Sequence, residues 1–178
     1  MKTIEQYLIK KIRQMEGVVI TIGCSDSLLE EIDKNSKITL CNALNNISRV
    51  SGKYQAKGRM RRINIKKFKK KFKKKKTDTM IIEAHDVLAY AKRIVPISVY
   101  LTKKDVYIYT HEKEEKIEEM IQKYDRFQVK TEVINKEDGI IYKMDCRGCQ
   151  VKKLQEIKYL WKDTIDNILD LIGDYLIH

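Results

Sequence analysis

Four stretches of this 178-residue chain carry residue types and spacings able to do chemistry. Cys146-Arg147-Gly148-Cys149 is a C-x-x-C. That spacing serves a redox pair, half of a zinc site, or two reduced thiols around a glycine turn. Glu83-Ala84-His85-Asp86 sets a carboxylate and an imidazole just behind an apolar run. His85 can act as a general base because its pKa lies near working pH, and Glu83 can position an amine. Alternatively, His85-Asp86 simply caps the helix that follows, with Asp86 as the N-cap. Gly23 closes another apolar run, and Ser25-Asp26-Ser27 behind it offers helix N-caps. The fourth stretch is Lys66 to Lys76, lysines broken only by Phe68 and Phe72.

That lysine run belongs to a longer basic segment. Lys53 to Lys76 holds 14 Lys or Arg in 24 residues and no acid. On a helix Phe68 and Phe72 would share a face while the lysines repelled one another. A polyanion removes that penalty and releases counterions on binding, so affinity would fall steeply with salt. Lysine supplies charge without geometry, so little base readout is expected. Tyr54 could stack on a base. The expected nucleic-acid contacts are Arg61, Arg62, Lys66, Lys67, Phe68, Lys70, Lys71, Phe72 and Lys74, with RNA the foremost partner. Two other readings stand beside this one. The two Phe could wedge into an anionic membrane surface, or the run could be a solvated loop whose Phe pair packs on the domain.

The elements that must hold these residues follow from apolar spacing. Ile4, Leu8, Ile12 and Met15 make one helical stripe over residues 3–15, with Gly17 ending it. Val18 to Ile22 is a buried strand closed by Gly23. Leu28, Leu29 and Ile32 continue at helical spacing, and Lys37 to Cys41 is a second strand. A helix between such strands implies a right-handed parallel crossover. Arg61 to Ile65 is a short strand and Asp78 to Ala84 a buried one. Residues 86–100 have helical spacing broken by Pro96. Asp105 to Thr110 is a strand and residues 112–124 a helix. Phe127 to Ile134 alternates as a strand. A turn at Glu137-Asp138-Gly139 sends Ile140 to Met144 back as a hairpin. Residues 150–177 make a long amphipathic helix through Leu154, Ile157, Trp161, Ile165, Ile168 and Ile172. That helix covers the sheet or pairs with a second chain as a homodimer.

The chain is expected to be one domain, 1–178, with 53–76 as a basic insert or loop. Its class is α/β: an open, mostly parallel sheet with helices on both faces and an antiparallel terminal hairpin. Hydrophobic residues at 43% and charged residues at 35% exclude a disordered chain. The net charge of +12 misleads if spread evenly. Outside the basic segment, 23 basic residues face 25 acidic ones. No apolar run reaches the length of a membrane span and no secretory pattern opens the chain. A cytoplasmic location and reduced thiols are expected. A zinc quartet of Cys24, Cys41, Cys146 and Cys149 is not expected. The first two follow parallel strands and Cys146 follows an antiparallel one, so they leave at opposite sheet edges.

Val18-Val19-Ile20-Thr21-Ile22-Gly23-Cys24-Ser25-Asp26-Ser27-Leu28-Leu29, read with the element order over residues 1–145, resembles the S-adenosylmethionine-dependent methyltransferases. In that family an apolar strand runs into a glycine-rich loop and a helix. The resemblance implies S-adenosylmethionine as cofactor, held by Gly23, Ser25, Asp26 and Asn42, with Glu83 and His85 facing the reacting methyl group. It implies methyl transfer, to RNA if the basic segment presents the substrate. The departures are definite. Thr21 stands where the family has an acid, and Ser25 and Ser27 stand where it has glycines. Cys41 and Asn42 stand where the second strand ends in a carboxylate, and Lys66 follows the third strand. They keep open a second reading: a non-catalytic protein that binds nucleic acid, or an anionic surface, on a decayed methyltransferase fold.

Overall fold

The computed structural model describes residues 2–44, 60–62, 77–84, 95–111, 118 and 121–151. In chain order these form α1 (Ile4–Ile12), β1 (Gly17–Ile22), α2 (Asp26–Lys34), β2 (Ile38–Leu44), β3 (Met60–Arg62), β4 (Thr77–Glu83), β5 (Thr102–Thr110), β6 (Lys130–Lys136) and β7 (Gly139–Asp145). Residues 95–101 are helical and a 3-10 turn spans Asp125–Phe127.

The seven strands form one sheet in the order β3-β2-β1-β4-β5-β7-β6. All pairs are parallel except those made by β7, which runs between β5 and β6 in the opposite sense. The expected open sheet and terminal hairpin are therefore present, with the hairpin's second strand inserted next to β5. From β1 the chain moves outward through β2 to β3, then returns to place β4 on β1's other side. This reversal makes the carboxyl ends of β1 and β4 the topological switch point, the place where open α/β sheets hold their ligand crevice.

Side chains alternate between two cores, because a parallel sheet covered on both faces must be apolar on both. Val19, Cys41, Ala43, Ile81, Tyr107, Tyr109 and Ile141 pack against α1 and α2. Ile20, Ile22, Met80, Ile82, Val106, Ile108, Tyr142 and Met144 pack on the other face, with Val95, Val99, Ile121 and Tyr124.

Several boundaries differ from the sequence expectation: β5 begins at Thr102 rather than Asp105, residues 95–101 stay helical through Pro96, and Phe127 belongs to the 3-10 turn, so β6 runs Lys130–Lys136. Helix α1 ends at Ile12 rather than near Met15, because the Asn35 side-chain amide donates to the carbonyls of Ile12 and Met15 at 2.6 and 2.9 Å. Those bonds satisfy carbonyls that a longer helix would have used. Gly17 does not stop the helix but opens β1. Strand β2 runs past Cys41 to Leu44, and Asn42 pairs with Ile20 inside the ladder. The amide broke the apolar pattern without breaking the backbone pairing.

The four thiols divide as the topology requires. Cys24 and Cys41 lie in the core under α1 and α2, while Cys146 lies in the other core beyond the end of β7 with Cys149, partly buried, packed against it. Among the described residues no helix is long and apolar enough to cross a membrane. The basic segment, apart from Met60–Arg62, and residues 152–177 of the expected last helix lie outside the described residues.

Candidate functional site

At the switch point, β1 gives way to α2 through Gly23, whose φ of +73° is a left-handed conformation that only glycine adopts cheaply. Cys24 then turns into the core. Ser25 is the N-cap of α2 by backbone conformation, yet its side chain makes no capping bond. Its hydroxyl lies 3.0 Å from the Ser27 hydroxyl, and Ser27 donates to Glu5 of α1. The N-termini of the two helices are thereby tied together at the carboxyl edge of the sheet. Asp26 sits in the first turn of α2, where the helix dipole favours an acid.

On the neighbouring strand stands Glu83, the last residue of β4, with its side chain 17% exposed. It pairs in register with Tyr109 of β5 and accepts that residue's phenolic hydrogen bond at 3.3 Å. The His111 ring follows, with Nε2 4.0 Å from Glu83 Oε1. His111 Nδ1 lies 2.9 Å from the Asp138 main-chain oxygen. A carbonyl can only accept, so Nδ1 carries the hydrogen there. In the neutral ring Nε2 then keeps its lone pair on the side of Glu83.

The hairpin turn holds this arrangement. The Asp138 carboxylate accepts the Ile4 N–H at 2.7 Å, and Glu137 N–H donates to Lys2 O at 3.0 Å. At Gly139 a Cβ would collide with the Thr110 carbonyl and come within 2.8 Å of His111 Cα. The turn therefore closes tightly on His111 because this position has no side chain.

Burial sets the chemistry of the neighbours. It is the chief reason the Tyr109 hydroxyl titrates far above its ordinary range, with the nearby Cys24 and Glu83 adding to the shift. Tyr109 is a neutral donor at any working pH. Burial likewise drives the Cys24 thiol up, and that of Cys41 to about 12, so neither is a nucleophile.

Of the residues expected from sequence, Gly23, Ser25, Asp26 and Glu83 meet at this edge. Asn42 lies within β2, two residues before its end, rather than at the strand terminus. His85 is outside the described residues. Arg61 and Arg62 lie in β3, the outermost strand on one side of the sheet, while Lys66, Lys67, Phe68, Lys70, Lys71, Phe72 and Lys74 are outside the described residues. Glu5, Tyr109, His111 and Asp138 were not foreseen. A histidine just behind the strand Asp105 to Thr110 was the available signal, since every parallel strand delivers its next residue to the same edge.

The opposite edge has its own cleft of about 370 Å³, lined by Lys11, Lys104, Lys143 and Arg147 among others. Three of these cations already have acids: Lys104 with Glu16 at 2.7 Å, Lys143 with Glu132 at 3.5 Å, and Arg147 with Asp105 at 2.9 Å. Among the described residues the carboxyl edge carries the carboxylates of Glu5, Asp26, Glu83 and Asp138.

No protein-family model matches the chain, and no curated protein matches it by sequence. Solved structures match it by fold. The precorrin-6y C5,15-methyltransferase of Geobacter metallireducens superposes with a TM-score of 0.58 at 11% identity, over 80% of this chain and 86% of that one. M. capricolum TrmK, in complex with S-adenosyl-homocysteine, gives 0.54 at 12% identity over 96% and 86%. A candidate tRNA (m1A22) methyltransferase of Streptococcus pneumoniae, in complex with S-adenosyl-L-methionine, gives 0.54 at 9% identity over 82% and 72%. The chain has the Rossmann-like fold of the S-adenosylmethionine-dependent methyltransferases.

Proposed function

We propose that this chain is an S-adenosylmethionine-dependent methyltransferase acting on RNA. The observation that carries the reading is the Gly23 turn, which leaves β1 at the switch point, beside the end of β4 that carries Glu83. The residues there suit the cofactor. Gly23 lets a ligand approach the main chain, and Ser25 leaves the first-turn N–H groups of α2 without a side-chain partner. The carboxylates of Glu83 and Asp26 there complement a sulfonium and an ammonium cation. Asn42 and Asp26 are proposed hydrogen-bond partners for the cofactor's polar groups, as the family resemblance implies.

When bound, S-adenosylmethionine supplies an electrophilic methyl group. The protein's part is alignment, because an in-line transfer needs geometry more than acid-base strength. Glu83 and the foot of α2 flank the switch point. His111, with its Nδ1 hydrogen committed to Asp138, keeps Nε2 for the proton that an acceptor nitrogen or oxygen releases. Glu83 then steadies the imidazolium. His85 follows the same strand end and is proposed to serve the acceptor side.

RNA is the proposed acceptor because the basic segment, Lys53 to Lys76, runs through edge strand β3 with Arg61 and Arg62 and leads to central strand β4. Its charge suits a phosphate backbone. A relative in fold described as a candidate tRNA methyltransferase agrees with this choice. A salt titration of RNA binding tests it, with the lysines of 66–76 replaced by serine. The replacement is expected to weaken binding and flatten its salt dependence; unchanged affinity would remove RNA from the account.

A second reading has one specific support. Thr21, Ser25 and Ser27 stand where methyltransferases carry an acid and glycines, which suits a fold that binds nucleic acid without catalysis. Failure to bind the cofactor, with RNA binding intact, would select it.

A further inference from the structure

We propose that Cys146 and Cys149 form an oxidisable dithiol, a modification site at which a hydroperoxide closes a disulfide. The two cysteines end a single tight turn. Cys149 N–H donates to Cys146 O at 3.1 Å across Arg147 and Gly148. Such a turn brings its end Cα atoms within about 7 Å. A disulfide usually spans about 4.4–6.8 Å between Cα atoms, so closure needs little backbone movement.

The turn is held from both sides. Cys146 N–H donates to Lys104 O at 2.7 Å, and Gln150 N–H to Phe127 O at 3.1 Å. Inside the turn, Arg147 N–H donates to Asp145 Oδ1 at 3.0 Å. The Arg147 guanidinium grips both carboxylate oxygens of Asp105, at 3.3 and 2.9 Å. A Cβ at Gly148 would sit 3.3 Å from Gln128 O, so the turn also packs closely where it has glycine. Pre-ordered ends make bridging the two sulfurs cheap in entropy.

The thiols differ in access. Cys146 is fully buried and its S–H points to Met144 O at 3.7 Å, whereas Cys149 is partly exposed. Tyr124 adds a second observation. Its ring is fully buried in the same core as Cys146, with Cys149 packed against that core, and its hydroxyl has no hydrogen-bond partner among the described residues. An unpaired buried donor is costly, and negative charge on a nearby sulfur gives it an acceptor. Cys24 and Cys41 are fully buried in the other core, away from any oxidant.

The chemistry balances with the peroxide as oxidant. The partly exposed Cys149, as its thiolate, attacks the O–O bond, which breaks as an S–O bond forms; the departing oxygen takes a proton and leaves as water or an alcohol. The Cys146 sulfur then attacks the Cys149 sulfenic acid. The S–S bond forms, the S–O bond breaks, and a second water leaves with the Cys146 proton. Two thiols lose two electrons and two protons, and an external dithiol reverses the change.

The test treats the reduced full chain with about one equivalent of hydrogen peroxide and maps its cysteines by mass. The expected product is lighter by two hydrogens, carries a Cys146–Cys149 crosslink, and returns to the starting mass with dithiothreitol. Cys149→Ser is expected to abolish that loss and Cys24→Ser to leave it intact. Sulfinic acid on Cys149 with Cys146 still alkylated, a crosslink between chains, or a zinc ion bound at the pair and blocking oxidation would each overturn the proposal.

Discussion

Tyr109 and Glu83 stand directly opposite each other on neighbouring parallel strands, and the phenol donates to the carboxylate at 3.3 Å. The pairing register alone brings these two side chains together at the carboxyl edge. Removing the donor leaves a half-buried carboxylate short of a hydrogen bond. Tyr109→Phe is therefore expected to cost about 1–3 kcal/mol of stability. A urea unfolding curve checks this, and an unchanged midpoint would mean the bond contributes nothing.

This contact also marks how far the sequence could be read. Val18 to Ile22 and Asp78 to Ala84 announce themselves as strands because an unbroken β-branched run has few other homes. Gly23 and Glu83 are legible for the same reason: each ends such a run, so each must emerge at the sheet edge. Tyr109 and His111 were out of reach because their role depends on which strand lies beside β4. Only the strand order supplies that. The Asp138 carbonyl carries no side-chain signal at all. Asn42 failed differently: a polar residue inside β2 looked like the strand's end. The early stop of α1 was equally hidden, since Asn35 sets it from 20 or more residues away.

His111 is bound through Nδ1 and faces Glu83 through Nε2. Under the proposed function, His111→Ala lowers the methyl-transfer rate by roughly 10²–10⁴-fold. Cofactor affinity is expected to change little, because the Gly23 turn is untouched. A calorimetric titration beside a turnover assay separates the two. Equal loss of binding and rate would reassign His111 to the cofactor site.

Gly139 lies against Thr110 and His111 with no room for a side chain. Gly139→Ala must push the hairpin turn away from β5 or strain a left-handed backbone. A loss of about 1–3 kcal/mol is expected, together with shifted His111 ring signals by NMR. Wild-type stability with unmoved signals would show that the turn yields freely.

Burial alone would raise the Asp145 carboxyl, but the Arg147 N–H and guanidinium outweigh it and hold it below the ordinary value. A carboxyl lowered on folding adds stability above the ordinary aspartate value of about 4 and loses it as pH falls through the folded value. Arg147→Gln removes this effect and leaves the mostly buried Asp105 without its bidentate partner. The guanidinium is half exposed, so solvent screening limits the cost to about 1–2 kcal/mol at neutral pH. Unfolding midpoints of the two proteins are expected to converge as the pH falls below the ordinary aspartate value of about 4 and on through the lowered folded value. A gap independent of pH would point to lost packing instead.

The central claim is that the Gly23 turn, beside Glu83 at the carboxyl ends of β1 and β4, binds S-adenosylmethionine. Isothermal titration of the full chain with S-adenosylmethionine and S-adenosylhomocysteine tests it most directly, with Gly23→Val as the control. The account predicts dissociation constants on the order of micromolar for the unaltered chain and none measurable for a folded Gly23→Val. No heat from the unaltered chain at about millimolar ligand would contradict it.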